Sequence, residues 1–165
     1  ERHAAAVAET AAGNLIQTSL YAAHAATGAL PLPDSANRIL RETHGFRELS
    51  AIAAGLDAPV YADRYQLAAA LRFYQPGLQT SQWPGITRPS EYLRGTIAPQ
   101  AGPQTQSGPF WLLSRLPNPP AIQGFAATAQ RTLYDCPRPP LAETAGPPCD
   151  KPLHRWQLFR YEPRG

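Results

Sequence analysis

Cys136 and Cys149 are the only cysteines in this chain of 165 residues, so any thiol chemistry runs through them. The twelve residues between them, PRPPLAETAGPP, hold five prolines. That density excludes a helix or a central strand, and the direct reading is a disulfide closing a loop. A loop of this length contributes roughly 3 kcal/mol by restricting the unfolded chain. A structural disulfide implies an oxidising compartment, meaning the periplasm, the cell surface or the extracellular space. The competing reading is two unrelated thiols in a reducing compartment. A zinc site does not follow. Neither cysteine has a CxxC partner, and although His154 lies just past Cys149, His3, His24 and His44 are far off in sequence. The spacing is not that of a CxxC redox pair either.

The acidic residues are scattered. Asp57 and Asp63 flank a predicted strand and read as turn caps. Asp135 and Asp150 adjoin the cysteines and read as turn formers or as ion-pair partners of Arg138 and Lys151. No two carboxylates have a spacing that favours glycosidase chemistry. The patterns GxSxG, HExxH, GxxxxGK[ST] and GxGxxG are absent. No catalysis, cofactor or metal is therefore expected, with a hydrolase of dispersed catalytic residues as the remote alternative. The net charge of +3 comes from cations spread from Arg2 to Arg164 without a cluster, so a nucleic-acid partner is not expected. One candidate surface remains. Trp83, Ile86, Tyr92 and Ile97 are spaced through residues 75–108, and they either pin that segment to the core or form an exposed partner-binding patch.

The elements that must position these residues divide at the prolines. All 19 prolines lie beyond residue 30. Leu, Ile, Val and Phe make up just under a fifth of the chain, which predicts a thin core. No apolar run is long enough for a membrane span. Residues 3–28 read as one helix. Its small-residue stripe is Ala4, Ala8, Ala12, Leu15, Ile16, Ser19, Ala22, Ala23 and Ala26, and its polar face carries a solvated His24. Gly28, Pro31 and Pro33 end it. Short helices are predicted from Asp34 or Ser35 to His44 and from Phe46 to Gly55. Residues 59–65 read as a strand. Gln66–Tyr74 fits either a helix or a hairpin partner, and with no capping residue before it we read it as a strand or mixed segment. Residues 75–108 read as loop, with a helical turn at 89–94. Strands are predicted at 110–116, 129–135 and 153–161. The last has Trp156, Leu158 and Arg160 on one face and Gln157, Phe159 and Tyr161 on the other, as in a strand buried on both sides. The expected architecture is one α+β domain in three stretches: a helix over 1–28, short helices and a connecting loop over 29–58, and a sheet with long loops over 59–165. The sheet is expected to be antiparallel, with the long helix laid on one face.

With the helix exit YAAHAATGALPLPDS (Tyr21–Ser35) and the Cys136–Cys149 loop, this outline resembles the globular part of a type IV pilin, a minor pilin or a secretion-system pseudopilin. The resemblance implies a long helix packed on an antiparallel sheet and a variable region closed by the disulfide. It implies a structural subunit of a pilus or secretion filament, acting in initiation, at the tip or in adhesion. The implied partners are other pilin or pseudopilin subunits, at the cell surface or in the periplasm. The family's processing site and hydrophobic segment are not in this sequence, so a chain that starts at Glu1 without Met reads as a truncated ectodomain, anchored in full length through a missing helix segment. A secreted or periplasmic module that binds a protein, peptide or glycan is the alternative.

Overall fold

A computed structural model describes residues 2–27, 30, 38–88, 106–137 and 141–165. They form two compact units, Glu1–His44 and Gly45–Gly165, where the sequence suggests a single one jointed near residues 28 and 58.

The first unit holds α1 (Arg2–Thr27) and α2 (Arg38–Thr43). The proline-free, Ala-rich head is helical as expected, because nothing in it interrupts the backbone ladder. The stripe assigned to the sheet is exposed at Leu15 (69%) and Ile16 (62%), and Leu20 and Tyr21 are exposed as well. His24 departs from its expected solvated state. It is 1% exposed, and its Nδ1 accepts a hydrogen bond from the Leu30 amide at 3.1 Å.

The second unit contains α3 (Phe46–Ala54), β1 (Val60–Ala62), α4 (Tyr65–Tyr74), β2 (Thr80–Gln82), β3 (Phe110–Ser114), β4 (Phe125–Asp135), β5 (Ala142–Glu143) and β6 (His154–Pro163). The strands form one sheet in the order β2-β1-β3-β6-β4-β5. The fold is α+β, but the sheet is mixed rather than antiparallel. β1 pairs in parallel with both β2 and β3, while β6 runs antiparallel to β3 and β4. The cause is α4. The segment read as a strand or mixed segment is a helix, the alternative its spacing also fits, and a helix between two short strands returns the chain in the same direction, making a parallel pair. Helix α4 has no side-chain cap, so it offers no start signal; burial of Leu67, Ala68 and Leu71 holds it instead.

The strands' two-residue period divides the core between two faces. On one face Val60, Ala62, Trp111, Leu113, Leu133, Trp156 and Leu158 pack with Leu49 and Ala53 of α3 and Leu67, Ala68 and Leu71 of α4. The helical layer on this face is thus made by α3 and α4, the role the sequence assigned to the long helix. On the other face Trp83 stacks on Phe110 (4.4 Å between centroids) and Phe110 stacks on Tyr161 (5.1 Å). Tyr61 and Phe125 meet this stack edge-on. The last strand is buried on both faces as expected, and it lies between β3 and β4.

Gly45 starts α3 at φ 75°, and a Cβ there would stand 2.6 Å from the Asp135 carboxyl carbon. The left-handed backbone and this close approach together select glycine.

Candidate functional site

β1, β2 and β3 run in the same direction, so their carboxyl ends, at Ala62, Gln82 and Ser114, share one edge of the sheet. From β1 the chain passes through α4 outward to β2, whereas from β3 it crosses past β6 to β4. Chain paths that diverge from neighbouring parallel strands leave a crevice at the carboxyl edge, the usual binding position in open α/β sheets.

Asp63 organises this edge. Its side chain is fully buried and accepts from Ser114 Oγ (2.8 Å) and from the Arg115 amide (3.2 Å), joining the ends of β1 and β3. Arg64 closes on the same carboxylate, with Nε 3.0 Å from Oδ1 and Nη2 3.3 Å from Oδ2. The Asp63 carbonyl accepts from Thr87 Oγ1, and Thr87 is held by Gln82 of β2 (3.0 Å). Asp63 is therefore an internal staple rather than the turn cap expected from its place beside a strand. Burial satisfies its oxygens with donors from three segments.

Beyond Asp63 lies a cleft of about 220 Å³ lined by Phe46, Arg64, Gln66, Leu67 and Arg115. Arg64 lines the cleft while its Nε and Nη2 hold Asp63. The Arg115 guanidinium has no hydrogen-bond partner among the described residues. Desolvation, and then the neighbouring Arg64 charge, lower its pKa from the usual arginine value, with Asp63 opposing. Gln66 and Leu67 lie in the first turn of α4, whose amides receive no side-chain cap. The arrangement gathers cationic and amide donors beside an apolar floor, a combination suited to holding an anion.

The sequence did not single out Arg64 or Arg115, because the arginines are dispersed along it and α4, β2 and residues 83–109 separate these two. The available signal was an Asp-Arg pair between a strand and a helix, which marks a carboxyl edge only once α4 is recognised.

Cys136 and Cys149 form the expected disulfide, with Cα atoms 6.2 Å apart. The disulfide is compatible with an extracytoplasmic location. Asp135, read as a turn former, is instead buried at the end of β4 and bonds His154 (Nδ1 to Oδ2, 2.9 Å), which stacks on Trp156. Arg138 lies outside the described residues. Asp57 accepts from Trp111 Nε1 (2.8 Å) and Arg160 (2.5 Å). Of the four surface candidates, Trp83 is buried in the ring stack and Ile86 packs beside it. Both hold residues 83–86 against the core. Tyr92 and Ile97 lie outside the described residues. Among the described residues no group of three or more His, Cys, Asp or Glu side chains is placed to hold a metal, and no helix is long and apolar enough to cross a membrane.

The chain matches no known family model, no curated protein and no solved structure.

Proposed function

We propose that this chain is an extracytoplasmic binding module whose Gly45–Gly165 unit takes an anionic ligand in the cleft at the carboxyl ends of β1 and β3. The observation that carries this reading is the convergence of Arg64 and Arg115, from two neighbouring parallel strands, on one cleft with a partly apolar floor. Binding rather than turnover is the expected activity, since the donors in the cleft hold an anion and supply no nucleophile or general base. The reading is tested by two-dimensional NMR of the whole chain against a panel of small anions. Shifts confined to Arg64–Leu67 and Arg115 support it, and no saturable shift with any anion removes it.

The assembly reading draws separate support from α1. Leu15, Ile16, Leu20 and Tyr21 are large apolar side chains exposed around one helix, apolar surface of a kind that a filament subunit buries against its neighbours. The mixed sheet departs from the pilin pattern and counts against that reading. If assembly is the function, Ile16→Asp lowers self-association with other filament subunits in sedimentation without lowering thermal stability. An unchanged sedimentation profile for that variant counts against assembly through α1.

A further inference from the structure

We infer that a second copy of this chain docks on the outer face of α4, the two helices crossing antiparallel at Ala69. The pairing does not depend on the anion cleft.

Helix α4 is apolar on two faces. Its sequence, YQLAAALRFY, carries one charge, Arg72, and one amide, Gln66. At 100° per residue Leu67, Ala68 and Leu71 share the face turned to the sheet, and all three are buried. Tyr65, Ala69 and Phe73, at i, i+4 and i+8, form a ridge on the far side. Phe73 is 76% exposed, more than any other large apolar side chain among the described residues, and Tyr65 is 41% exposed. The Tyr74 ring meets Phe73 edge-on at 5.0 Å and braces the exposed ring. A helix that is apolar on nearly every side is normally covered on every side.

What selects a second copy is that the ridge fits itself. Its order is large, small, large. Two such ridges, each of residues four apart, interdigitate when the helices cross at the small residue, since alanine against alanine lets the backbones approach. In an antiparallel pair centred there, helix geometry places Tyr65 of each copy between Arg72 and Phe73 of the other. The tyrosine ring then meets an aromatic ring on one side and a guanidinium on the other. Both contacts occur twice, as a two-fold axis requires. Charge agrees with geometry. Residues 64–79 hold no acid, so the crossing buries no carboxylate. The two Arg72 groups stand at opposite ends of it, roughly 9 Å apart along the helix direction, so like charges do not meet. The face is small. One ten-residue helix presents less than the roughly 800 Å² per partner of a stable complex, so the pairing is reversible and follows protein concentration.

The test is sedimentation of the whole chain, disulfide intact, over a concentration series into the millimolar range. A monomer–dimer equilibrium is expected. Phe73→Gln raises its dissociation constant at least about tenfold, as loss of a central aromatic anchor does. The same variant keeps its thermal midpoint in dilute solution, since the ring it removes is exposed. Ala69→Cys forms an intermolecular disulfide under mild oxidation, because the two-fold axis brings the new thiols together. Ala51→Cys, on the exposed surface of α3, forms none. Ile16→Asp, on α1, leaves the α4 dimer intact. A chain that is monomeric throughout the series overturns the inference, as does a dimer that survives Phe73→Gln. Association lost in Ile16→Asp but kept in Phe73→Gln assigns the contact to α1 and overturns it too. Failure of Ala69→Cys to cross-link overturns the antiparallel crossing. A monomer that sediments with phosphatidylglycerol vesicles, and stops doing so in Phe73→Gln, gives the face to a lipid surface instead.

Discussion

The sheet is two constructions meeting at β3. On one side β2 and β1 are three-residue strands, fully or largely buried, too short to hold themselves by a ladder. They are held from outside by α4 and by the Asp63 staple across their carboxyl ends. On the other side β6 and β4 are ten and eleven residues long and pair over most of their length, and the disulfide begins directly after β4. Their strength is the ladder itself, with the buried Gln157 amide bridging Gln130 and Thr132 (2.9 and 2.8 Å). The difference is instructive. Parallel strands align their carboxyl ends, so the weaker side gathers donors at one edge and carries the proposed site. Antiparallel strands alternate their ends, so the stronger side scatters them and becomes the support.

The comparison can be broken first at β6, which pairs with β3 on one edge and with β4 on the other. Trp156 is fully buried on β6, and Trp156→Ala is expected to cost about 3–5 kcal/mol and to lower both sides together, seen as one cooperative transition in denaturant. Next comes the support alone. Cys136→Ser is expected to cost about 2–5 kcal/mol, and a loss under about 0.5 kcal/mol in chemical denaturation would show that the loop is no staple. Non-reducing mass measurement on the native chain checks the bond itself. Asp63→Asn touches the other side. It removes the charge facing Arg64 and is expected to cost about 1–3 kcal/mol. Amide exchange should quicken at Asp63 and Arg115 before it quickens in β4 and β6, and uniform quickening would erase the distinction between the sides.

The smallest effect compares one exposed carboxylate from each side. Asp57 is held below its ordinary value of 3.8 chiefly by its hydrogen bond from Arg160, then by that from Trp111, and Glu143 below 4.5 chiefly by its hydrogen bond from Arg131. Each titrates lower in the folded chain than in the unfolded one. Its contribution is therefore whole above the unfolded value and is lost as pH falls through the folded value. Thermal midpoints between pH 5 and 2 should fall for the native chain and fall less for Asp57→Asn and for Glu143→Gln.

Much of the support was legible. The cysteines, the two-faced alternation of β6 and the apolar run of β3 carry strong local signals, since burial on both faces leaves few polar positions to confuse the pattern. The site was not legible, because its organising element was misread. Leu67 and Leu71 have helical spacing, but α4 follows Arg64, which is in extended backbone and makes no capping hydrogen bond to mark the start. The mistake then spread. Without α4 there is no parallel pair, without the parallel pair there is no common carboxyl edge, and without that edge Asp63 is an ordinary turn residue. Trp83 was misleading in the opposite sense, as an aromatic in a Pro- and Gly-rich stretch that belongs to the ring stack on Phe110.

β5 is only two residues long and pairs with β4 at Leu133 and Tyr134 alone. Among the described residues, the rest of the outer side of β4, from Phe125 to Thr132, has no strand beside it. Such an open margin invites another extended chain to add itself, the first step of edge-to-edge aggregation. The register shift between Ala127 and Ala129 falls in this stretch, breaking the regular spacing an incoming strand needs. Arg131, tied to Glu143, sets a charge beside it. The irregularity in β4 thus keeps the longest strand among the described residues from acting as a template.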